Sequence, residues 1–298
     1  MTLLLILSRA IHFGSCLLLL GFIAVRLLVE SPAATDLSAS RRLSRQCMVC
    51  LFAAAGSGFL WLWEAIAGMS DSGLLESLNP SLFGMVLTQT TPGQIWIVRC
   101  VLAAALLLLL VFSHPRWTWI AAAILAAALV TSLAWLGHAG ASEDGHRPWM
   151  LACDVAHLLA AGVWPAGLLP FALLLRRLMK VGSLPAARAA ARKFSAMSLV
   201  TVAVLAASGV VNACFLVGSF HALVTSNYGR LLIIKVALFA ITVALGASNL
   251  LMHKPRLETA PEALNAMASK VWLEFALGTL IVLVVAIMGT LPPAWTGD

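Results

Sequence analysis

The sequence predicts an all-α integral membrane protein, an eight-helix transmembrane bundle built from two parallel four-helix repeats. Composition is the first reason: 61% of the 298 residues are hydrophobic and 10% are charged, against about 45–50% and about 25% in a soluble domain. Apolar runs of about 20 residues, enough to cross a bilayer as helix, recur along the whole chain. These runs are unbroken Leu, Ala, Val and Ile, without the alternation over roughly 10 residues that marks a membrane barrel. Within these residues no stretch is left for a soluble domain of ordinary size, so the chain does not read as an enzyme with a separate head.

Runs and breakers place the spans at 3–28, 47–67, 94–112, 118–137, 150–175, 194–217, 231–252 and 271–291. The first lacks a basic leader and is too long for a signal-peptide core, so it reads as a span. With the N-terminus outside, the inner loops carry Arg26, Arg41, Arg42, Arg45, Arg116, Arg176, Arg177, Lys180, Arg188, Arg192, Lys193, Lys254, Arg256 and Lys270, fourteen of the 19 basic residues. The outer segments hold Asp71, Glu76, Glu143, Asp144 and Asp298. The positive-inside rule therefore predicts both termini on the outer side. It also accounts for the net charge of +7 without nucleic acid. The six cysteines lie mostly in or beside apolar runs and do not form a disulfide framework.

The chain reads as one membrane domain, 1–298, with related halves at 1–145 and 146–298. Arg41-Arg42-Leu43-Ser44 matches Arg192-Lys193-Phe194-Ser195, and Ser57-Gly58 matches Ser208-Gly209, both at an offset of 151. Gly93 precedes Arg99 by six residues, as Gly229 precedes Lys235. His12 and His157 each follow a charged residue by three positions, Arg9 and Asp154. A duplication of four helices preserves orientation and predicts a binding site between the halves.

Ionisable groups at bilayer depth cost roughly 2.5–3.5 kcal/mol on insertion scales, so the few present are expected to face the interior with partners. His12, His157, Asp154, Arg99 and Lys235 fall in the outer third of their spans, with His138 and His146 just outside. Met150, Cys153 and His157 stand at i, i+3 and i+7, with Asp154 on nearly the same stripe. His12 and Cys16 share a face at i and i+4. Imidazole, thiolate, thioether and carboxylate together suit a late transition metal, copper first. The bland alternative is an interior hydrogen bond for each histidine and plain packing for each Met and Cys.

On the inner side Cys47, Cys50, His114 and Met252-His253 form a weaker candidate exit set. Trp61, Trp63, Trp96, Trp117, Trp119, Trp149 and Trp295 lie near span ends and read as interfacial anchors. Arg99 and Lys235 either snorkel outward or pair with Asp154 or Glu64. Glu64 and Glu274 read as helix-pairing carboxylates or parts of a proton path, and Asn212 and Asn249 as amides that join helices or offer oxygen ligands. The chain carries no Gly-x-x-x-x-Gly-Lys-[Ser/Thr], Gly-x-Ser-x-Gly or His-Glu-x-x-His pattern, so neither ATP-driven pumping nor hydrolysis is indicated.

Gly137-His138-Ala139, Asp154-x-x-His157, Val163-Trp164-x-x-Gly167, Ser208-Gly209-x-x-Asn212, Tyr228-Gly229 with Lys235, and Leu291-Pro292-Pro293 together resemble the copper resistance protein D (CopD) family. The resemblance is clearest from about residue 135 onward. It implies a bacterial inner-membrane protein of about eight spans, with both termini periplasmic, that moves copper from periplasm to cytoplasm, often beside a periplasmic partner of the CopC type. Copper would arrive near His138 and His146, be held by His12, His157 and Asp154 with Cys16, Cys153 or Met150, and pass inward. Where the family has Trp-x-Gly-Gly, this chain has Trp164-Pro165-Ala166-Gly167. Pro165 predicts a kink there that opens space. An alternative of another class is a b-type haem electron-transfer protein with His12 and His157 as axial ligands.

Overall fold

The computed structural model describes residues 2–30, 37–70, 73–112, 116–141, 145–253 and 261–294. In chain order the helices are α1 (Leu3–Leu28), α2 (Leu37–Ser70), α3 (Pro80–Gln89), α4 (Thr91–Phe112), α5 (Arg116–Thr131), α6 (His138–Ala141), α7 (Arg147–Val163), α8 (Leu168–Lys180), α9 (Leu184–Val217), α10 (Phe220–Thr225), α11 (Asn227–Ser248) and α12 (Pro261–Met288). A 3₁₀ turn, Ser132–Leu136, extends α5, and a π turn, Asn249–His253, extends α11. No strand occurs among the described residues, and eight helical segments are long and apolar enough to cross a membrane. Three spans begin about ten residues before the expected position. The more polar stretches 37–46, 184–193 and 261–270 continue the helix where hydropathy alone ends it.

The spans alternate in direction. The short helices α3, α6 and α10 gather where α1 begins, here called the cap face, and the Lys- and Arg-rich ends form the opposite, basic face. On the basic face Arg26 and Arg177 donate to Glu30 at 2.8 and 3.3 Å, tying the end of α1 to α8. α1 is central and touches α2, α5, α7, α8 and α12. One buried apolar cluster joins α1 to α2, α4 and α5, and a second joins its C-terminal end to α7, α8, α9 and α12. Away from the centre α4, α5 and α9 expose Val101, Ile124, Val200 and Val210, as lipid-facing surfaces do.

Two turns on the cap face have the same construction. Thr90 Oγ1 donates to the Val86 carbonyl at 2.7 Å and accepts from Gly93 N at 3.0 Å; Ser226 Oγ does the same with the Ala222 carbonyl and Gly229 N, at 2.7 and 3.0 Å. Glycine is required at both turns, because a Cβ on Gly93 would sit 2.1 Å from the Val86 carbonyl oxygen and one on Gly229 2.3 Å from that of Leu223. These turns launch α4 and α11, and so set the depth of Arg99 and Lys235 at about 12 Å along their helices.

The chain breaks at Pro165 as expected, between α7 and α8. On one side the break is closed, since Gly21 of α1 approaches so near that a Cβ would lie 2.8 Å from the Ala166 backbone. On the other side Trp164 and Leu168 line a cavity. The tryptophans depart from the expectation of interfacial anchors. Trp117 and Trp149 are exposed, but Trp61 and Trp119 are buried and Trp61 packs in the interior, because α1 offers rings and cations for it to cover. Trp295 lies outside the described residues.

Candidate functional site

His12 sits about 14 Å below the cap end of α1, and its ring is fully enclosed. Its Nδ1 meets the Ala54 carbonyl of α2 at 2.8 Å. A carbonyl only accepts, so Nδ1 carries the hydrogen and Nε2 is left as an acceptor, which the guanidinium of Arg99 on α4 engages through Nη2. The same Nη2 donates to Cys16 Sγ at 3.4 Å, while Nη1 donates to the Leu129 carbonyl at 2.7 Å and to Ser132 Oγ. Trp61 and Trp96 pack on the imidazole at 5.6 and 5.1 Å between ring centres, and Arg9 stacks over Trp61 at 4.6 Å. Arg99 is therefore not a snorkelling anchor, nor the partner of Asp154 or Glu64. It is 3% exposed and stands between the two donors, His12 and Cys16, expected to share a metal. Glu64 instead accepts from Thr2 Oγ1 at 2.6 Å.

His157 on α7 docks against α9 in the manner that His12 docks against α2. Its Nδ1 is 3.0 Å from Ser208 Oγ, with the Leu205 carbonyl also bonded to the ring. Ser208 lies one turn beyond Val204 and Leu205 and donates to their carbonyls; Ser57 does so with Ala53 and Ala54. Gly58 faces the His12 ring, and Gly209 the His157 ring. The surroundings then diverge. His157 Nε2 has no hydrogen-bond partner among the described residues. One turn earlier, Asp154 Oδ1 accepts from Asn212 Nδ2 at 2.6 Å, and its other oxygen has no partner among them. Lys235 of α11 and Tyr228 lie within electrostatic reach of Asp154. His157, Asp154 and Lys235 are each half-buried rather than sealed.

His138 opens α6 and faces Tyr228 at 5.9 Å between rings. Its Nε2 is buried without a partner, and the ring is bonded to the Met288 carbonyl at the end of α12. Burial, together with the Arg9 charge, pushes this imidazole below its ordinary pKa and keeps it in the neutral form that binds metal. Histidine ligands usually have one ring nitrogen held by a carbonyl or hydroxyl and the other presented; His138 and His157 have that arrangement, whereas Arg99 already engages His12 Nε2. His146 is exposed beside Phe215. Met150 is buried and Cys153 half-buried on α7.

Among the described residues no three or more His, Cys, Asp or Glu side chains gather as a metal-holding group. The donors lie in separate sets: His12 with Cys16 in one half, His157 with Asp154 in the other, and His138 between α6 and the end of α12. A haem with His12 and His157 as axial ligands finds no room, because Arg99 occupies His12 Nε2 and two indoles fill the space around it. Cys47 and Cys50 are buried in the apolar cluster below Cys16. His114 and the His253 side chain lie outside the described residues.

Residues 1–149 match the family described as copper resistance protein D-like, N-terminal domain, and residues 188–288 the one described as copper resistance protein D. The chain is 32% identical over 221 residues to "Copper resistance protein D" of Pseudomonas syringae pv. tomato, covering 70% of this chain and 71% of that one. It is 28% identical over 288 residues to "Inner membrane protein YebZ" of Escherichia coli (strain K12), covering 96% and 97%. It is 27% identical over 225 residues to "Copper transport protein CutJ" of Bacillus subtilis (strain 168), covering 73% and 40%. No solved structure matches the chain.

Proposed function

Because the chain belongs to the copper resistance protein D family, we propose that it carries copper across the bacterial inner membrane from the cap face to the basic face. The basic face is cytoplasmic on this reading, by the positive-inside rule, and both termini are periplasmic. The protein acts as a transporter and copper is its cargo.

One observation carries the assignment of the receiving site. On a single helix, His157 presents an unpartnered Nε2 and Asp154 an unpartnered oxygen, one turn apart, and both side chains are half-buried. The Ser208 hydroxyl and Asn212 amide fix both side chains from behind, which orients ligands before the ion arrives. His138 and His146 lie toward the cap face and receive the ion first, and Cys153 and Met150 supply softer donors on the same helix. His12 and Cys16 serve as a second station, in the first half, that opens only when Arg99 withdraws. A periplasmic protein of the CopC type delivers the ion to the cap face. The two matching histidine docks and the two matching glycine turns support a duplicated four-helix unit as the origin of this layout.

Substituting His157 by Ala and titrating purified protein with copper tests the reading. A fall in affinity of at least about ten-fold is expected, with a parallel loss of copper flux into proteoliposomes. Unchanged stoichiometry and affinity overturns it.

A further inference from the structure

Apart from His12, His138 and His157, a cavity of about 110 Å³ lies between α7–α8, α9, α11 and α12, lined by none of them. Its lining is apolar except for Ser195, Ser198, Asn249 and Glu274. Glu274 is 3% exposed and Asn249 5%. Asn249 Nδ2 donates to Glu274 Oε1 at 2.7 Å, while Asn249 Oδ1 is buried with no partner. No cation neutralises the carboxyl within ion-pair distance among the described residues. Of the charged groups on the packed helices, Lys270 of α12 lies within electrostatic reach, but its ammonium donates to Ser248 Oγ at 2.6 Å. From α7 and α8 the cavity receives Trp164, Leu168 and Phe171, from α9 its two serines and apolar side chains, and from α11 Val243, Gly246 and Ala247; none of these titrates near neutrality.

The pair is one donor short. An ionised Glu274 leaves a buried charge and a buried amide oxygen both unanswered, each of which is costly. A proton on the carboxyl removes the charge and gives the pair the donor it lacks. A hard divalent ion would ask for six or more oxygens, more than this lining holds, and copper would find neither imidazole nor thiolate. Gly246 makes the room, since the nearest carboxyl oxygen lies 3.6 Å from where its Cβ would be. The π turn that begins at Asn249 is a local distortion of a kind frequent at functional sites.

We propose that the cavity holding Glu274 and Asn249 is a proton-binding site, in which the carboxylate takes a proton from cavity water and returns it there. On the transport reading above, such a site couples ion movement to protons, but its test needs no copper and is decided separately. Infrared difference spectra of the purified chain between acidic and alkaline buffer should show the carbonyl stretch of a buried carboxylic acid, shifted in deuterated water. Glu274→Gln should remove that band, and Asn249→Leu should move its frequency and midpoint. A band that survives Glu274→Gln, a Glu274 carboxyl that does not change state between the two buffers, or a band indifferent to Asn249→Leu each overturns the proposal. The Asn249 variant also decides the matter should the glutamine variant not fold.

Discussion

The two halves dock a histidine in the same way and surround it with opposite charge. His12 and His157 both lie about 14–15 Å below the cap face, each held at Nδ1 against a helix that carries Ser-Gly at the contact. Three residues before the ring, one half has Arg9 and the other Asp154; on the neighbouring span, one has Arg99 and the other Lys235. The first half therefore sets two cations around a ring whose Nε2 is already engaged. In the second, a carboxylate offsets the ammonium and Nε2 is open. A similar backbone frame fixes where each imidazole stands, and on the proposed function the charges beside it decide whether a metal ion can stay.

The strongest way to break that contrast is to give the second half the charge of the first. Asp154→Arg changes two charge units beside the proposed ion, each worth about 3–4 kcal/mol at 4–5 Å with an effective dielectric of 20. Copper affinity measured by titration should fall at least about 100-fold, whereas His12→Ala should leave it unchanged. Equal losses from both would place the ion between the halves, with both imidazoles as ligands.

Stability should separate the halves in the reverse order. Arg99→Leu strips the donor from His12 Nε2 and from Cys16 and leaves buried acceptors unanswered, at about 1–3 kcal/mol for each such group. Thermal unfolding in detergent should show a loss of about 2–4 kcal/mol. Lys235 makes no hydrogen bond among the described residues, so Lys235→Leu strips no buried acceptor of its donor and should cost less than Arg99→Leu.

Alanine at the two glycines sharpens the comparison further. A Cβ on Gly58 would lie 2.8 Å from the His12 ring and from Trp96, so the packed half must shift; at Gly209 the nearest His157 atom is at 3.5 Å, an ordinary contact. Gly58→Ala should give a net loss of up to about 2 kcal/mol, overpacking outweighing the gain in helix propensity. Gly209→Ala should stabilise by about 0.5–1 kcal/mol. Melting temperatures of the pair, measured side by side, check the sign.

Much of this was readable from the residues. Eight spans follow from hydropathy, because a bilayer leaves no other use for such runs. The Ser57-Gly58 and Ser208-Gly209 match was legible only as a repeat; that each pair faces a histidine ring emerges from packing. The interior role of Arg99 was not legible. Its depth on α4 is close to that of His12 on α1, which is a signal, but which way α4 is turned decides between lipid and ring, and a nearly uniform apolar helix does not reveal its rotation. The same holds for Trp61, whose place near a span end suits an anchor as well as a lid over Arg9. Asn212 and Asn249 were recognisable as joining amides, yet their partners, 58 and 25 residues away, emerge only from packing.

The smallest expected effect probes the one difference between the docks themselves. Ser208 reaches His157 with its hydroxyl, whereas Ser57 bonds only carbonyls of its own helix and leaves His12 to the Ala54 carbonyl. If Ser208 orients a copper ligand, Ser208→Ala should weaken copper binding about ten-fold, as loss of an outer-shell hydrogen bond does, and Ser57→Ala should leave it unaltered. Both variants also free a buried carbonyl from the same back-bond, so their effects on unfolding should be alike and small. An affinity that follows stability in both, rather than falling in Ser208→Ala alone, would mean that His157 is held for packing and not for metal.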